Sequence, residues 1–129
     1  MTIPESHADL LQSNALAHVA TIGPDGAPQS NPVWFGWDGV HFMFSQFTGR
    51  QKLRNLRARP QIAVSIVDPA DPYRYLELRG TVEEIVDDAG NEFINAMAQK
   101  YLGVPTNPWE KPGQHRVVVK MRPISTTAM

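Results

Sequence analysis

Residues 45–60 read SQFTGRQKLRNLRARP, and five of these side chains, Arg50, Lys52, Arg54, Arg57 and Arg59, are cations. No Asp or Glu interrupts them, although the whole chain balances 12 Lys and Arg against 13 Asp and Glu. The chemistry such a segment offers is recognition of an anion. Read as a helix over 49–58, it turns Leu53 and Leu56 inward. Lys52, Asn55 and Arg59 then form one flanking row, and Arg50, Arg54 and Arg57 form the other. The first turn joins Arg50 and Lys52 to free backbone N–H groups and the positive end of the helix dipole, a site for a phosphate-sized group. Gly49 lets the backbone approach a ligand without a Cβ. Thr48 stands where an N-cap hydroxyl belongs, and Pro60 supplies the stop. The same pattern also describes a solvated amphipathic helix with a basic polar face, and the segment alone does not separate the two.

Other catalytic devices are missing from the sequence. There is no cysteine, and none of the nucleophile-elbow, P-loop or HExxH motifs occurs. The four histidines, His7, His18, His41 and His115, are scattered without metal-ligand spacing. Glu83-Glu84 and Asp87-Asp88 fall at a strand end and a helix start, where neighbours point apart or cap, so no paired-carboxylate centre is expected. No catalytic side chain and no metal ligand is assigned; reactive chemistry, if present, is borrowed from a bound molecule. One stretch offers a wall for it. QSNPVWF (29–35) holds Pro32, which cannot donate to a ladder and belongs at a sheet edge, strand start or bulge. An ordinary barrel edge and a backbone that lines a planar ligand both fit this stretch. With the TGRQK turn nearby, the second describes a flavin-type pocket.

The elements that must position these residues are mostly strands. LAHVATIGPDGAPQSNPVWFGWDGVHFMFS reads as three strands in a meander. GPDG forms one turn, and Asp38-Gly39 favours a tight type I′ hairpin between Trp37 and Val40. Val40, Phe42 and Phe44 share a face of the third strand. After the basic helix, QIAVSIV (61–67) and YRYLELRGTVEEIV (73–86) alternate as strands. Residues 88–102 carry a stripe of Phe93, Ile94, Met97, Ala98, Tyr101 and Leu102 at helical spacing, closed by Gly103. HRVVVKMRP is the last strand, and residues 5–13 open the chain as a short helix with Leu10 and Leu11 packing. Six strands and three helices, mainly β with flanking helices and mostly antiparallel, predict one domain over 1–129: a six-stranded closed or partly closed barrel. Lack of cysteine, of a leader-like N-terminus and of a long apolar run sets the expectation of a cytoplasmic protein.

LAHVATIGPDGAPQSNPVWF, TGRQKLRNLRARPQIAVSIVDP and YLELRGTVEEI, in this order, resemble the pyridoxamine 5′-phosphate oxidase-like split β-barrel superfamily. The closer likeness is to its flavin/deazaflavin oxidoreductases, the branch that uses coenzyme F420. The likeness runs over about 8–122, and its most specific part is T-x-R-x-K-x-R-N-L-x-x-x-P, beginning at Thr48. It implies a homodimer with two cofactor sites at the subunit interface. Lys52 then meets the cofactor phosphate, with Thr48, Arg50, Gln51 and Asn55 at the same end. Ser30, Asn31, Pro32, Val33 and Trp34 back the ring, with Ser45 and Gln46 beside them. Tyr73 and Tyr75 approach from the partner subunit.

Coenzyme F420 and FMN are the two cofactors this likeness offers. Five cations without an acid suit the long acidic tail of F420 better than the single phosphate of FMN, though each exposed cation adds only a few tenths to about 1 kcal/mol. The expected activity is hydride transfer from reduced F420 to an unsaturated small organic substrate, with Trp34 and Trp109 available to stack on a planar molecule. Tyr75, His41 and Lys100 are the side chains that offer a proton, with nothing to choose between them. A cofactor carrier without turnover is the rival reading. A nucleic-acid-binding barrel would need a basic stripe that a net charge of −1 does not supply.

Overall fold

Alternating burial builds the sheet. In the computed structural model, which describes residues 1–129, β1 (Ala17–Ile22) turns Ala17, Val19 and Thr21 inward. The inward residues of β4 (Phe42–Phe47) are Phe42 and Phe44, and those of β5 (Gln61–Asp68) are Ile62, Val64 and Ile66. Leu76 and Leu78 do the same on β6 (Asp71–Asp87), as do Val117, Val119 and Met121 on β7 (Arg116–Ala128). All of these except Thr21 belong to one hydrophobic cluster, the period-2 outcome expected of strands buried on a single face. Leu10 and Leu11, from an opening 3₁₀ helix at Glu5–Gln12, complete it.

Two further strands set the topology. β2 (Pro28–Val33) pairs only with β1, and β3 (Gly36–Trp37) only with β4. The sheet order is β2-β1-β5-β6-β7-β4-β3, with every pairing antiparallel. The two edges are therefore consecutive in sequence, separated by Trp34 and Phe35 alone. Three Cα steps span at most roughly 11 Å, so the sheet curls until its edges face each other. It is a split β-barrel, joined across the gap by chain rather than by a ladder. Seven strands replace the predicted six, because the chain crosses the split at Trp34–Phe35 and pairs again at Gly36. Pro32 lies on an edge strand, as its missing N–H requires.

Several local expectations change. Trp37 pairs with Phe42, not Val40. The Asp38 carboxylate accepts the backbone N–H groups of Val40 at 2.8 Å and His41 at 2.6 Å, which stabilises a wider turn than a two-residue hairpin. Val40 is consequently exposed. Helix α1 covers Gln51–Ala58, with Arg50 rather than Thr48 at its cap and no side chain capping it. The hydroxyl of Thr48 instead reaches the carbonyl of His115 at 3.5 Å. Helix α2 covers Glu92–Leu102, after a short 3₁₀ turn. Asp88 accepts the N–H groups of Phe93 and Ile94 at 2.8 and 3.0 Å, the satisfaction a helix start needs. Gly103 closes α2 at φ +70°, while Leu102 faces solvent instead of joining the stripe.

Candidate functional site

The open side of β2, the end of β4 and the start of α1 meet in a cavity of about 350 Å³. Strand alternation turns Asn31 and Val33 of β2 to this side, and Pro32 contributes from the edge. Ser45 and Gln46 close the wall from β4, and Arg50 and Lys52 form the cationic end. A wider lobe of about 680 Å³ continues past Pro32, Val33 and Phe47 toward Trp34 and Trp109.

Lys52 is the distinctive group. Only 8% of the residue is exposed, yet it has no carboxylate partner in the protein. Its Nζ lies 5.5 Å from the centroid of the Phe44 ring. Burial, and secondarily the charge of Arg50, pull the ammonium below the ordinary lysine range. A buried cation is normally paired, and this one has no anionic partner within the chain. Arg50 also lacks an acid and lies 5.5 Å from the Phe47 ring. None of the five cations between residues 45 and 60 is paired with a carboxylate. Arg54 is turned onto Gly49 and Gln51, and Arg59 onto the carbonyl of Ile22 at 2.7 Å.

The structure separates the sequence-derived residues. Asn31, Pro32, Val33, Trp34, Ser45, Gln46, Arg50 and Lys52 line the two lobes. Ser30 does not: the pleat turns it to the opposite, solvent-facing side from Asn31. Thr48 and Gln51 also lie outside the lining. Gln51 is occupied inside α1, donating to Asn55 Oδ1 at 2.8 Å and accepting from Arg54 at 2.8 Å. Asn55 is sealed in the core at 1% exposure, donating to Thr21 Oγ1 at 3.0 Å and Gln29 Oε1 at 3.3 Å. Gln29 in turn donates to Asn31 Oδ1 at 3.0 Å. Asn55 thus holds the wall instead of touching what the wall encloses. Tyr73 and Tyr75, at the start of β6, line neither lobe of this chain.

Arg116 was missed. It faces Phe47 across the β4–β7 ladder with its guanidinium carbon 3.9 Å from the ring centroid. It donates to Glu110 Oε1 at 2.8 Å and Ser45 Oγ at 3.1 Å. Its charge is thereby offset by Glu110, leaving Arg50 and Lys52 as the uncompensated pair. Nothing local in HRVVVK marks Arg116, because its role depends on the pairing of β7 with β4. At the split, Lys100 donates to the carbonyl of Phe35 at 2.7 Å. Tyr101 accepts from the N–H of Phe35 at 3.1 Å and donates to the carbonyl of Ala15 at 2.8 Å. His41 lies outside the groove, bonded to Glu83 at 3.0 Å.

The polar, cationic pocket suits the acidic end of a bound molecule, and the aromatic-lined lobe beside it offers a stacking surface for a planar group. The family described as pyridoxamine 5′-phosphate oxidase matches residues 3–128. A solved structure named F420 Reductase is 42% identical, with a TM-score of 0.88 over 97% of this chain and 98% of that one. A conserved hypothetical protein, Rv2991 from Mycobacterium tuberculosis, is 26% identical with a TM-score of 0.77, over 99% of this chain and 85% of that one. HupZ from Group A Streptococcus is 25% identical with a TM-score of 0.70, over 99% and 94%. No curated protein matches. Family match, split barrel and strand order together make this chain a member of the pyridoxamine 5′-phosphate oxidase-like split-barrel family.

Proposed function

We propose that the protein is an F420-dependent reductase acting on an unsaturated small organic substrate. The observation that carries this reading is Lys52, a buried ammonium without a carboxylate, which lines the cavity together with Arg50. The 42% identity to a structure named F420 Reductase supports the deazaflavin over a flavin. The residues present fit such a group: Lys52 and Arg50 bind the phosphate, while Asn31, Val33, Ser45 and Gln46 hold the adjoining portion. When bound, the cofactor supplies a hydride from its C5 carbon. Trp34 and Trp109 of the wider lobe receive the acceptor and exclude water from one side.

Reduction of a polarised double bond takes the hydride at one atom and a proton at the other. Lys100 donates to the Phe35 carbonyl and His41 is bonded to Glu83, which leaves solvent or the partner subunit's Tyr75 to supply that proton. In this reading the protein works as a homodimer, with Tyr73 and Tyr75 completing the partner's site.

The test is titration of the purified chain with F420 and with FMN separately, each followed by its own fluorescence, then oxidation of reduced F420 by unsaturated acceptors. F420 is expected to bind more tightly and to turn over. Preference for FMN would replace the deazaflavin with a flavin. Tight F420 binding with no acceptor reduced would make the protein a carrier.

A further inference from the structure

The wider lobe ends in two indoles of unequal freedom. Trp34 belongs to the two-residue link across the split and stacks on Tyr101, with centroids 5.3 Å apart and planes 6° apart. Tyr101 is itself held by hydrogen bonds to Phe35 and Ala15. Trp34 is therefore a fixed platform. Trp109 stands on the loop between α2 and β7 and is 63% exposed, with its ring 6.0 Å from Trp34 at a tilt of 44°. An indole left this open to solvent contributes little to the core.

The same lobe carries an unbalanced charge. Arg116 is neutralised by Glu110, but Arg50, on the side facing the cofactor pocket, and Lys111, beside Trp109 in sequence, both line the lobe without any ion pair. Its backbone is fixed, because its N–H donates to Gln114 Oε1 at 3.1 Å. Asn107 ties the base of the loop to α2 by donating its N–H to Asn95 Oδ1 at 2.9 Å, and its Oδ1 accepts the N–H of Trp109 at 3.3 Å. The loop thus presents one aromatic face and one cation next to a rigid indole.

We infer that Trp34, Trp109 and Lys111 form a substrate subsite selective for planar, conjugated molecules bearing a negative charge. The inference rests on the reductase reading for the word substrate and on the geometry for the selectivity. A ring lying between two indoles needs about 3.5 Å on each side, so about 7 Å in total. Trp109 accordingly moves outward by about 1 Å and rotates toward parallel as the ring enters. The loop carries the positive-φ glycines Gly103 and Gly113 at its two ends, where such a rotation strains the backbone least.

The experiment measures equilibrium binding without turnover, by quenching of tryptophan fluorescence. Three probes are compared: 2-naphthoate, which is planar and anionic; 2-naphthamide, planar and neutral; and cyclohexanecarboxylate, anionic and puckered. The expected order places 2-naphthoate first. Trp109→Ala is expected to weaken both naphthyl probes about three- to tenfold, while Trp109→Phe retains most of the affinity. Lys111→Ala is expected to weaken naphthoate several-fold and leave the amide unchanged. F420 affinity, read separately from its own fluorescence, tests the reductase reading independently. Equal binding of naphthoate and cyclohexanecarboxylate, or a Trp109→Ala protein that binds naphthoate as the parent does, overturns the subsite whatever F420 does.

Discussion

Asn55 on α1 donates a hydrogen bond to Thr21 on β1 at 3.0 Å, and both residues are 1% exposed. This bond fastens the cationic helix to the barrel, and through Gln29 it also fixes Asn31 in the cavity wall. Replacing Asn55 by Ala leaves the Thr21 hydroxyl and the Gln29 amide to find new partners, at a cost of about 1–3 kcal/mol. Cofactor affinity is expected to fall with it, because Gln29, which holds the Asn31 amide, loses its own anchor. Thr21→Val and the double variant complete a cycle, with a coupling of about 0.5–3 kcal/mol for groups in one network. Urea unfolding of the four proteins checks this; strictly additive losses would show that the bond is not what joins α1 to β1.

Lys52 sets affinity against stability. Its pKa is lowered by burial and then by Arg50 from the ordinary 10.5. Between the lowered value and 10.5, the unfolded chain binds the proton that the folded chain has released. Stability therefore rises with pH through that alkaline window. Below it the ammonium is charged in both states, and the folded protein carries the full desolvation cost. Lys52→Met removes the cost, so the variant is expected to be more stable than the parent at neutral pH, with the gap closing toward pH 10.5. It is also expected to bind the phosphate-bearing cofactor about 1–3 kcal/mol more weakly. Unfolding midpoints at pH 7 and pH 10 decide the first point, and a gap that widens with pH contradicts it.

Gly80 is where β6 meets a bend in β7. A Cβ at this position would clash with the backbone carbonyl oxygen of Arg122, which has no side-chain freedom with which to move aside. The β6–β7 register shifts between Arg79 and Gly80, as strands do where a bulge turns a curled sheet. Gly80→Ala is expected to destabilise by about 3 kcal/mol through overpacking. A thermal melt within a degree of the parent would mean that the two strands separate more easily than their pairing indicates.

Local patterning carried most of the fold, and the site only in part. Phe42 and Phe44, Ile62 to Ile66, and Leu76 and Leu78 announced their strands because one buried face forces a period of two. Pro32 announced an edge for the same local reason. Asn55 was placed at the phosphate end by the family resemblance, and helical spacing alone does not reveal that β1 and β2 cover it. Arg116 stayed invisible because it meets Ser45 and Phe47 through a ladder joining residues far apart in sequence. Ser30 was carried over with Asn31 by the family resemblance, and strand pleating sends the two neighbours to opposite faces. The β3 pairing was too short at two residues to leave any periodic trace.

The strongest remaining consequence concerns assembly. Tyr73 is 82% exposed at the start of β6 and lines neither lobe of its own chain. An aromatic ring held this far into solvent lowers no monomer energy, whereas at an interface it is a favoured anchor. In the proposed homodimer it covers the partner's bound ring. Tyr73→Ala is accordingly expected to leave the unfolding midpoint of the chain within about 0.5 kcal/mol of the parent, as surface changes do. The same change is expected to weaken cofactor binding several-fold. Sedimentation velocity run beside the fluorescence titration separates the causes. Lost affinity with the dimer intact assigns Tyr73 to the cofactor, and lost affinity with a monomer assigns it to the interface. A parent protein that sediments as a monomer while binding the cofactor at full affinity would remove the shared site altogether, leaving Lys52 and Arg50 to act within one chain.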